Sequence, residues 1–416
     1  MVYVRGGKEG FDEWAAQGCT GWDYDSVLPY FQEAEKVINV LQAEQNDFIR
    51  AMIAACQENS IPYNPDYNQS GEEFGISPLQ FLIDNRMQRE TTYRSYIQQA
   101  HVTNLTVCTD VLVNRVLFDD CQKCTGVEFY DMTLQCNVLY QVNVKNDVIL
   151  SAGSIGTPQI LMLSGIGPRM HLEGFGIKVI SDLPGVGQNL QDDLFVTAAF
   201  MSKQPVDPQP YGLLGTVIFW PSSLSSKGKS TDCDLPTDIE ASLGSGAMVG
   251  MDSAPMQSYW IWPNIQKLKS RGTVQLKSSS IFDDPIIDPN YLAEPEDLSR
   301  CIKALQLAIS IGSAPAMTDW CESQLEPPAN STQEELKKYV LKTAGTCHHF
   351  AGTAKMGPMT DNMAVVSPET LIVYGVTGLR VVDASIIPTT VSGNTQGATM
   401  MIGEKASNII LTTSNK

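Results

Sequence analysis

No stretch of this 416-residue chain approaches the roughly 18 consecutive apolar residues that a membrane-spanning helix needs. Positive charge is scarce too. With 28 Lys and Arg against 46 Asp and Glu, the formal net charge is −18. That balance works against nucleic acid or an anionic membrane as partner, and plain solubility is its simplest consequence. Metal-ligand spacing is missing. Cys121 and Cys124 form a lone C-x-x-C with no second pair nearby, so zinc is not expected, and either a local disulfide or two free thiols fits. There is no internal repeat, no low-complexity linker and no signal peptide. The opening Met1-Val2-Tyr3-Val4-Arg5-Gly6-Gly7 starts with a strand-like alternation and a turn, and reads as the middle of a domain.

What is present is globular. The apolar fraction is 43%, enough for a substantial core, and the length suits two domains or one large domain with an insertion. Ten cysteines and three N-x-S/T sequons, at Asn68, Asn104 and Asn330, lean towards an extracellular setting for a full-length form. Residues 8–60 read as mostly helical, with amphipathic stretches over 26–40 and 46–57. Alternation over 105–113, 115–118, 126–130 and 138–144 predicts strands. The region 195–265 mixes Pro, Ser and Gly with short apolar runs and reads as a sheet-rich second domain. Helical patterns follow at 297–313, 333–341 and 397–410.

Three segments carry chemistry. Val148-Ile149-Leu150 is a short buried-strand run, followed by the small-residue turn Ser151–Ser154 and a helix from about Ile155. Strand, tight turn and helix is how α/β folds present backbone N–H groups to a phosphate or flavin; an ordinary strand–helix corner has the same outline. Only four histidines exist, and His348 and His349 are adjacent. In a strand-like stretch they point to opposite sides, so one can face a site while the other faces solvent or core. Finally, Leu379–Asp383 reads as a strand ending in an acid. A turn and a helix starting near Thr395 follow, and the start of that helix favours an anion, although Asn394 could also simply cap it.

Together, Val148–Gly167, His348-His349 followed by F-A-G-T-A-K-M-G, and V-V-D-A-S-I-I-P-T…S-G-N-T-Q-G resemble the glucose–methanol–choline (GMC) oxidoreductases in identity and order. The start MVYVRGGKEGFDEWAAQGCTGWDYDSVLPYFQEAE and the segment DLPGVGQNLQDD resemble the family as well. The likeness covers essentially the whole chain and points to the arthropod glucose-dehydrogenase-like branch. It implies an FAD-dependent oxidoreductase acting on the CH–OH group of an alcohol or sugar, with a quinone or oxygen as acceptor. His349 then takes the hydroxyl proton and Asn394 holds the substrate oxygen. Val113, Asp383, Ala384, Thr395, Gln396, Met1 and Val2 are the implied cofactor contacts.

The family's strand–G-x-G-x-x-G–helix unit is not found, nor is the glycine-serine strip expected before Met1. The resemblance therefore implies a chain lacking its N-terminal Rossmann segment, at least roughly 30 residues of βαβ. The expected fold is mixed α/β: an incomplete FAD-binding Rossmann-like domain, plus a substrate domain with an antiparallel sheet and flanking helices. The regions are 1–194 (truncated FAD-binding part and lid), 195–365 (substrate domain) and 366–416 (return to the FAD-binding part). Phe350, Ala354 and Asp193 replace the family's usual proline, cysteine and histidine. Two alternatives stand beside the oxidoreductase: a non-catalytic chain unable to hold FAD, and a flavin-containing lyase on the same scaffold.

Overall fold

A six-strand antiparallel path, ordered Cys321–Glu326, Ala198–Ser202, Ser258–Ile265, Ile239–Ser245, Thr216–Trp220 and Gly75–Pro78, divides one half of the molecule into two faces. Short strands Leu194–Phe195 and Gly345–Thr346 add to it beside Ser258–Ile265. The computed structural model describes residues 2–69, 71–99, 102–133, 138–207, 215–224, 237–246 and 257–414. Side chains alternate across a strand. Ile218, Trp220, Ala241, Leu243, Tyr259 and Ile261 therefore turn one way, into a core shared with helices Asp47–Glu58 and Pro295–Gly312. Phe219, Glu240, Trp260, Trp262 and Asn264 fall on the other face.

The second core gathers segments that are remote in sequence. Val148–Leu150 pairs in parallel with Leu379–Val381. Helix Gly153–Leu163 follows the first of these strands, and helix Thr395–Ser414 packs on helix Tyr24–Val37. Phe11, Trp14, Phe31, Leu161, Val381 and Met401 are buried together here. Membership of the cores is discontinuous along the chain: Phe48, Met52, Ile61 and Ile76 join the sheet-side core although they precede residue 194. Among the described residues no helix is long and apolar enough to cross a membrane.

Several local readings change. The strand expected from Leu105 begins at Val111. The helix expected from Ile155 begins at Gly153, whose φ of +76° is a conformation open to glycine at little cost. The 345–357 stretch is strand only over Gly345–Thr346; His348 takes φ +60°, so a left-handed turn, not strand alternation, sends His348 outward and His349 inward. Cys121 and Cys124 are free thiols, the first exposed and the second buried. Asn68 is buried, and its amide donates to the Tyr3 carbonyl and Gln80, which leaves no room for a glycan in the folded protein. His101, Cys136, Cys233 and Met1 lie outside the described residues.

Candidate active site

His349 and Asn394, 45 positions apart in sequence, meet with 2.9 Å between His349 Nε2 and Asn394 Nδ2. Two tight turns bring them together. Gly393 has φ +92°, and a Cβ there would lie 2.3 Å from Val4 Cγ1. Ser392 Oγ accepts the Gly7 N–H at 2.8 Å, tying the Asn394 loop to the first strand-like segment. On the histidine side, Gln191 pairs with Ala351, and its side-chain amide joins Pro388 and Thr390, so the segment 188–193 braces both partners. Gly187 starts that segment; a Cβ there would sit 2.1 Å from the Val274 carbonyl oxygen.

The two acids that end the segment hold His349 in place. Asp192 accepts the His349 backbone N–H at 2.7 Å, and also the hydroxyls of Thr346 and Tyr291. Asp193, fully buried, lies 2.9 Å from His349 Nδ1. Sequence reasoning noted Asp193 only as a departure from a family histidine and overlooked Asp192. The doubled acid in Q-N-L-Q-D-D was the available signal.

Burial pulls the His349 imidazole down. The Asp193 hydrogen bond and charge, then the charges of Glu240 and Asp192, outweigh it, and the net shift is upward. Two further acids are buried nearby. Burial raises Glu240 to about 7 and Glu73 to about 8, the latter despite bonds from Ser392 and Thr237. A carboxyl that holds its proton more tightly when folded contributes stability that is full below its unfolded value of 4.5 and is lost as pH rises through its folded value, about 8 for Glu73. Urea unfolding should therefore show stability falling between about pH 5 and 8, by at most about 1.4 kcal/mol per pH unit from this group, and Glu73→Gln should flatten that slope. Equal slopes in the two proteins would refute the assignment to Glu73.

The sheet face above the histidine is aromatic. Phe195 and Trp262 have ring centroids 4.2 Å apart, and Trp260 lies 5.3 Å from Trp262. Glu240 is opposite Asn264, and Ser242 opposite Trp262, so Glu240 and Trp262 are diagonal neighbours on one face. Glu240 Oε1, both indole Nε1 atoms and Asn394 Oδ1 are buried with no hydrogen-bond partner.

The other sequence-predicted residues scatter. Thr395 and Gln396 open helix Thr395–Ser414, whose first N–H groups have no intrahelical partner. Gly397 packs that helix start directly on the Val4 carbonyl, where a Cβ would sit at 2.1 Å. A groove of about 640 Å³ runs along the same helix, lined by Gln396, Thr399, Met400, Thr92 and Tyr96. Ala384 is half-buried beside Asp383. Asp383 is otherwise occupied: its two oxygens accept from Gly153 N, Thr157 Oγ1, Ser385 N and Ser385 Oγ, filling its lone-pair sites inside the protein. Val113 lies on strand Val111–Phe118, which packs on helix Gly153–Leu163, and Val2 is bridged to Phe81. The helix start, the groove beside it and the unpartnered Asn394 Oδ1 fit the polar edge of a flavin.

Two family models, each described as GMC oxidoreductase, match the chain: the N-terminal one over residues 1–195 and the C-terminal one over 269–403. Choline oxidase of Arthrobacter globiformis is 32% identical, over 97% of this chain and 77% of that protein. The oxygen-dependent choline dehydrogenase of Vibrio vulnificus is 33% identical, over 99% and 78%. A solved FAD-dependent oxidoreductase from Chaetomium thermophilum superposes with a TM-score of 0.88 at 26% identity, covering 100% of this chain and 85% of its own. These findings correct two expectations. The N-terminal family region is matched, so the reading of a chain lacking its N-terminal Rossmann segment, with an incomplete FAD-binding domain, does not hold. The glucose-dehydrogenase-like branch gives way to choline oxidase and choline dehydrogenase relatives. The physical reason is that a contiguous G-x-G-x-x-G is a local test. The flavin-side core is built from distant segments, as the pairing of Val148–Leu150 with Leu379–Val381 and the contact of Gly397 with Val4 illustrate.

Proposed function

The chain belongs to the GMC oxidoreductase family, and from that premise we propose that it oxidises a small cationic alcohol, with His349 as base and Asn394 as the group holding the reacting oxygen. It is an FAD-dependent oxidoreductase acting on CH–OH groups. The observation that carries the residue roles is the 2.9 Å contact of His349 Nε2 with Asn394 Nδ2. A substrate hydroxyl entering between the two satisfies both, donating its proton to Nε2 and accepting from the amide. An alcohol is far less acidic than an imidazolium, so the proton must leave as the C–H bond breaks, and a base poised near neutrality suits that step. When bound, FAD supplies the hydride acceptor. Thr395 and Gln396 at the helix start would hold it, with Ala384 beside them; Val113 and Val2 are proposed contacts further from the chemistry. Asp383 would hold it indirectly, by fixing the Gly153 turn.

The cationic preference rests on Glu240 and Trp262, a buried carboxyl and an indole that are diagonal neighbours on one sheet face, with Trp260 packed against Trp262, which is a setting for an ammonium group. A bound cation would draw Glu240 into its ionised form. The relatives named for choline support the same reading. Oxygen is the proposed acceptor, in keeping with the oxygen-dependent relative; oxygen uptake during turnover, against reduction of an added quinone, distinguishes the two.

The test is anaerobic flavin reduction by choline and by 3,3-dimethylbutan-1-ol, its uncharged isostere. The neutral alcohol should show an apparent KM about tenfold or more higher, the value of roughly 1.4 kcal/mol of cation recognition. Glu240→Gln should narrow that gap. Equal KM values would sink the cationic reading and leave alcohol oxidation standing.

A further inference from the structure

We propose that Asp193 is a positioning residue that fixes His349 as its Nδ1–H tautomer and so presents the Nε2 lone pair at Asn394. The proposal rests on the reading of His349 as the base. Its geometry is a three-member chain: Asp193 Oδ2 to His349 Nδ1 at 2.9 Å, and His349 Nε2 to Asn394 Nδ2 at 2.9 Å. The two ends demand the same tautomer. An ionised carboxylate only accepts, so Nδ1 must carry the hydrogen. The amide nitrogen only donates, so Nε2 must carry the lone pair. The His349 backbone N–H on Asp192 prevents the ring from drifting out of this line.

The surroundings favour this arrangement. Burial raises the Asp193 carboxyl, and the hydrogen bond and charge of His349 oppose that rise, so the carboxylate leans on the ring; its Oδ1 is buried without a partner. The groups that bear on the ring are Asp193 and Asp192 from the 188–193 segment and Glu240 from the sheet, all acids; Cys347 and His348 are its neighbours in sequence, and Cys347 is held to Asn264. Three acids and no fixed cation among these groups favour the ring that has just accepted a proton. When substrate arrives, the hydroxyl proton moves to Nε2 while Nδ1–H stays on Asp193, so the positive charge forms against a carboxylate already in place.

The test is long-range proton–nitrogen NMR on holoenzyme labelled with ¹⁵N-histidine. Four histidines give a spectrum simple enough to assign, His349 being identified by its loss in His349→Gln. The expected result is a protonated Nδ1 and unprotonated Nε2 at His349 above its titration, and a midpoint above the ordinary imidazole value. In Asp193→Asn, where the side-chain NH₂ can turn to Nδ1 and only Asn394 still favours the Nδ1–H form, the tautomer preference should weaken and the midpoint should fall by about one pH unit, a tenfold loss of proton affinity. The plateau rate of flavin reduction should fall at least about tenfold with little change in KM, and Asp193→Glu should restore part of it. An Nε2–H tautomer in the unaltered protein, or an unchanged tautomer and midpoint in Asp193→Asn, overturns the proposal. If Asp193→Asn does not fold, the tautomer of the unaltered protein decides by itself. If no alcohol reduces the flavin, the functional reading fails while the tautomer remains measurable.

Discussion

Flavin reduction by alcohol in a His349→Ala enzyme is expected to be slower by about 10²- to 10⁴-fold, the usual contribution of a positioned general base. The loss should be this large because nothing else at the site can take over. Asn394 is an amide with no basicity at neutral pH. Asp193 and Asp192 lie behind the histidine, committed to it and to Thr346 and Tyr291. Glu240 is on the sheet, hydrogen-bonded to Gln266, and with its pKa raised to about 7 it is partly protonated near neutrality. The alanine leaves Asn394 and the helix start in place, so substrate affinity should change less than the rate. His348→Ala is the control: that side chain is exposed, turned outward by a φ of +60°. Stopped-flow reduction of both variants checks the assignment. Near-normal reduction in His349→Ala removes it from the role of base.

Asp383→Ala is expected to destabilise the protein by about 3 kcal/mol or more, since it leaves several donors without their acceptor at about 1–3 kcal/mol for each one that is buried. Asp383 joins the end of strand Leu379–Val381 to the first turn of helix Gly153–Leu163. Gly153 N at 2.9 Å and Thr157 Oγ1 at 2.6 Å share one oxygen, and the Ser385 donors share the other. In the alanine variant the Thr157 hydroxyl, in a fully buried residue, and the Gly153 N–H lose their acceptor. Asp383→Asn keeps one oxygen but turns an NH₂ towards two donors, so it should fall between. Urea unfolding reads the effect, and because the Gly153 turn would lose its anchor, FAD should also dissociate more readily. A change below about 1 kcal/mol would mean that the four bonds are replaced by water or by relaxation of the loop.

Asp383 also marks where sequence reading stops. Its place at the end of a strand was legible from Leu379–Val382, where three of the four residues are apolar. Its role was not, because an acid at a strand end has the same appearance whether it binds a ligand or its own backbone. The donors around it decide that: two come from Ser385 close by, and two from Gly153 and Thr157, 230 and 226 positions away. Asp192 and Asp193 were hidden for a related reason. Nothing local ties two adjacent acids after a loop to a histidine some 156 positions on; the pairing of Gln191 with Ala351 places them under His349. The 345–357 stretch read as strand because its small residues and single apolar positions suit one. The left-handed φ at His348 is a tertiary outcome, stabilised by its N–H on Thr346 Oγ1 and by the burial of His349 against Asp193.

By itself the sequence determined the helices, whose caps and apolar spacing are local, and the order of the family motifs, including His349 and Asn394 as the pair to watch. Local patterns survive translation into structure because helix periodicity and turn chemistry act over a few residues. Only the tertiary structure decided which groups touch: that 45 positions close to 2.9 Å, that two acids stand behind the histidine, and that Glu240 shares a sheet face with Trp260 and Trp262. Strand pairing and burial create those contacts between segments far apart in the chain. The upward shift at His349 comes from the acids those contacts bring to it and works against its burial, whereas burial itself raises Glu240.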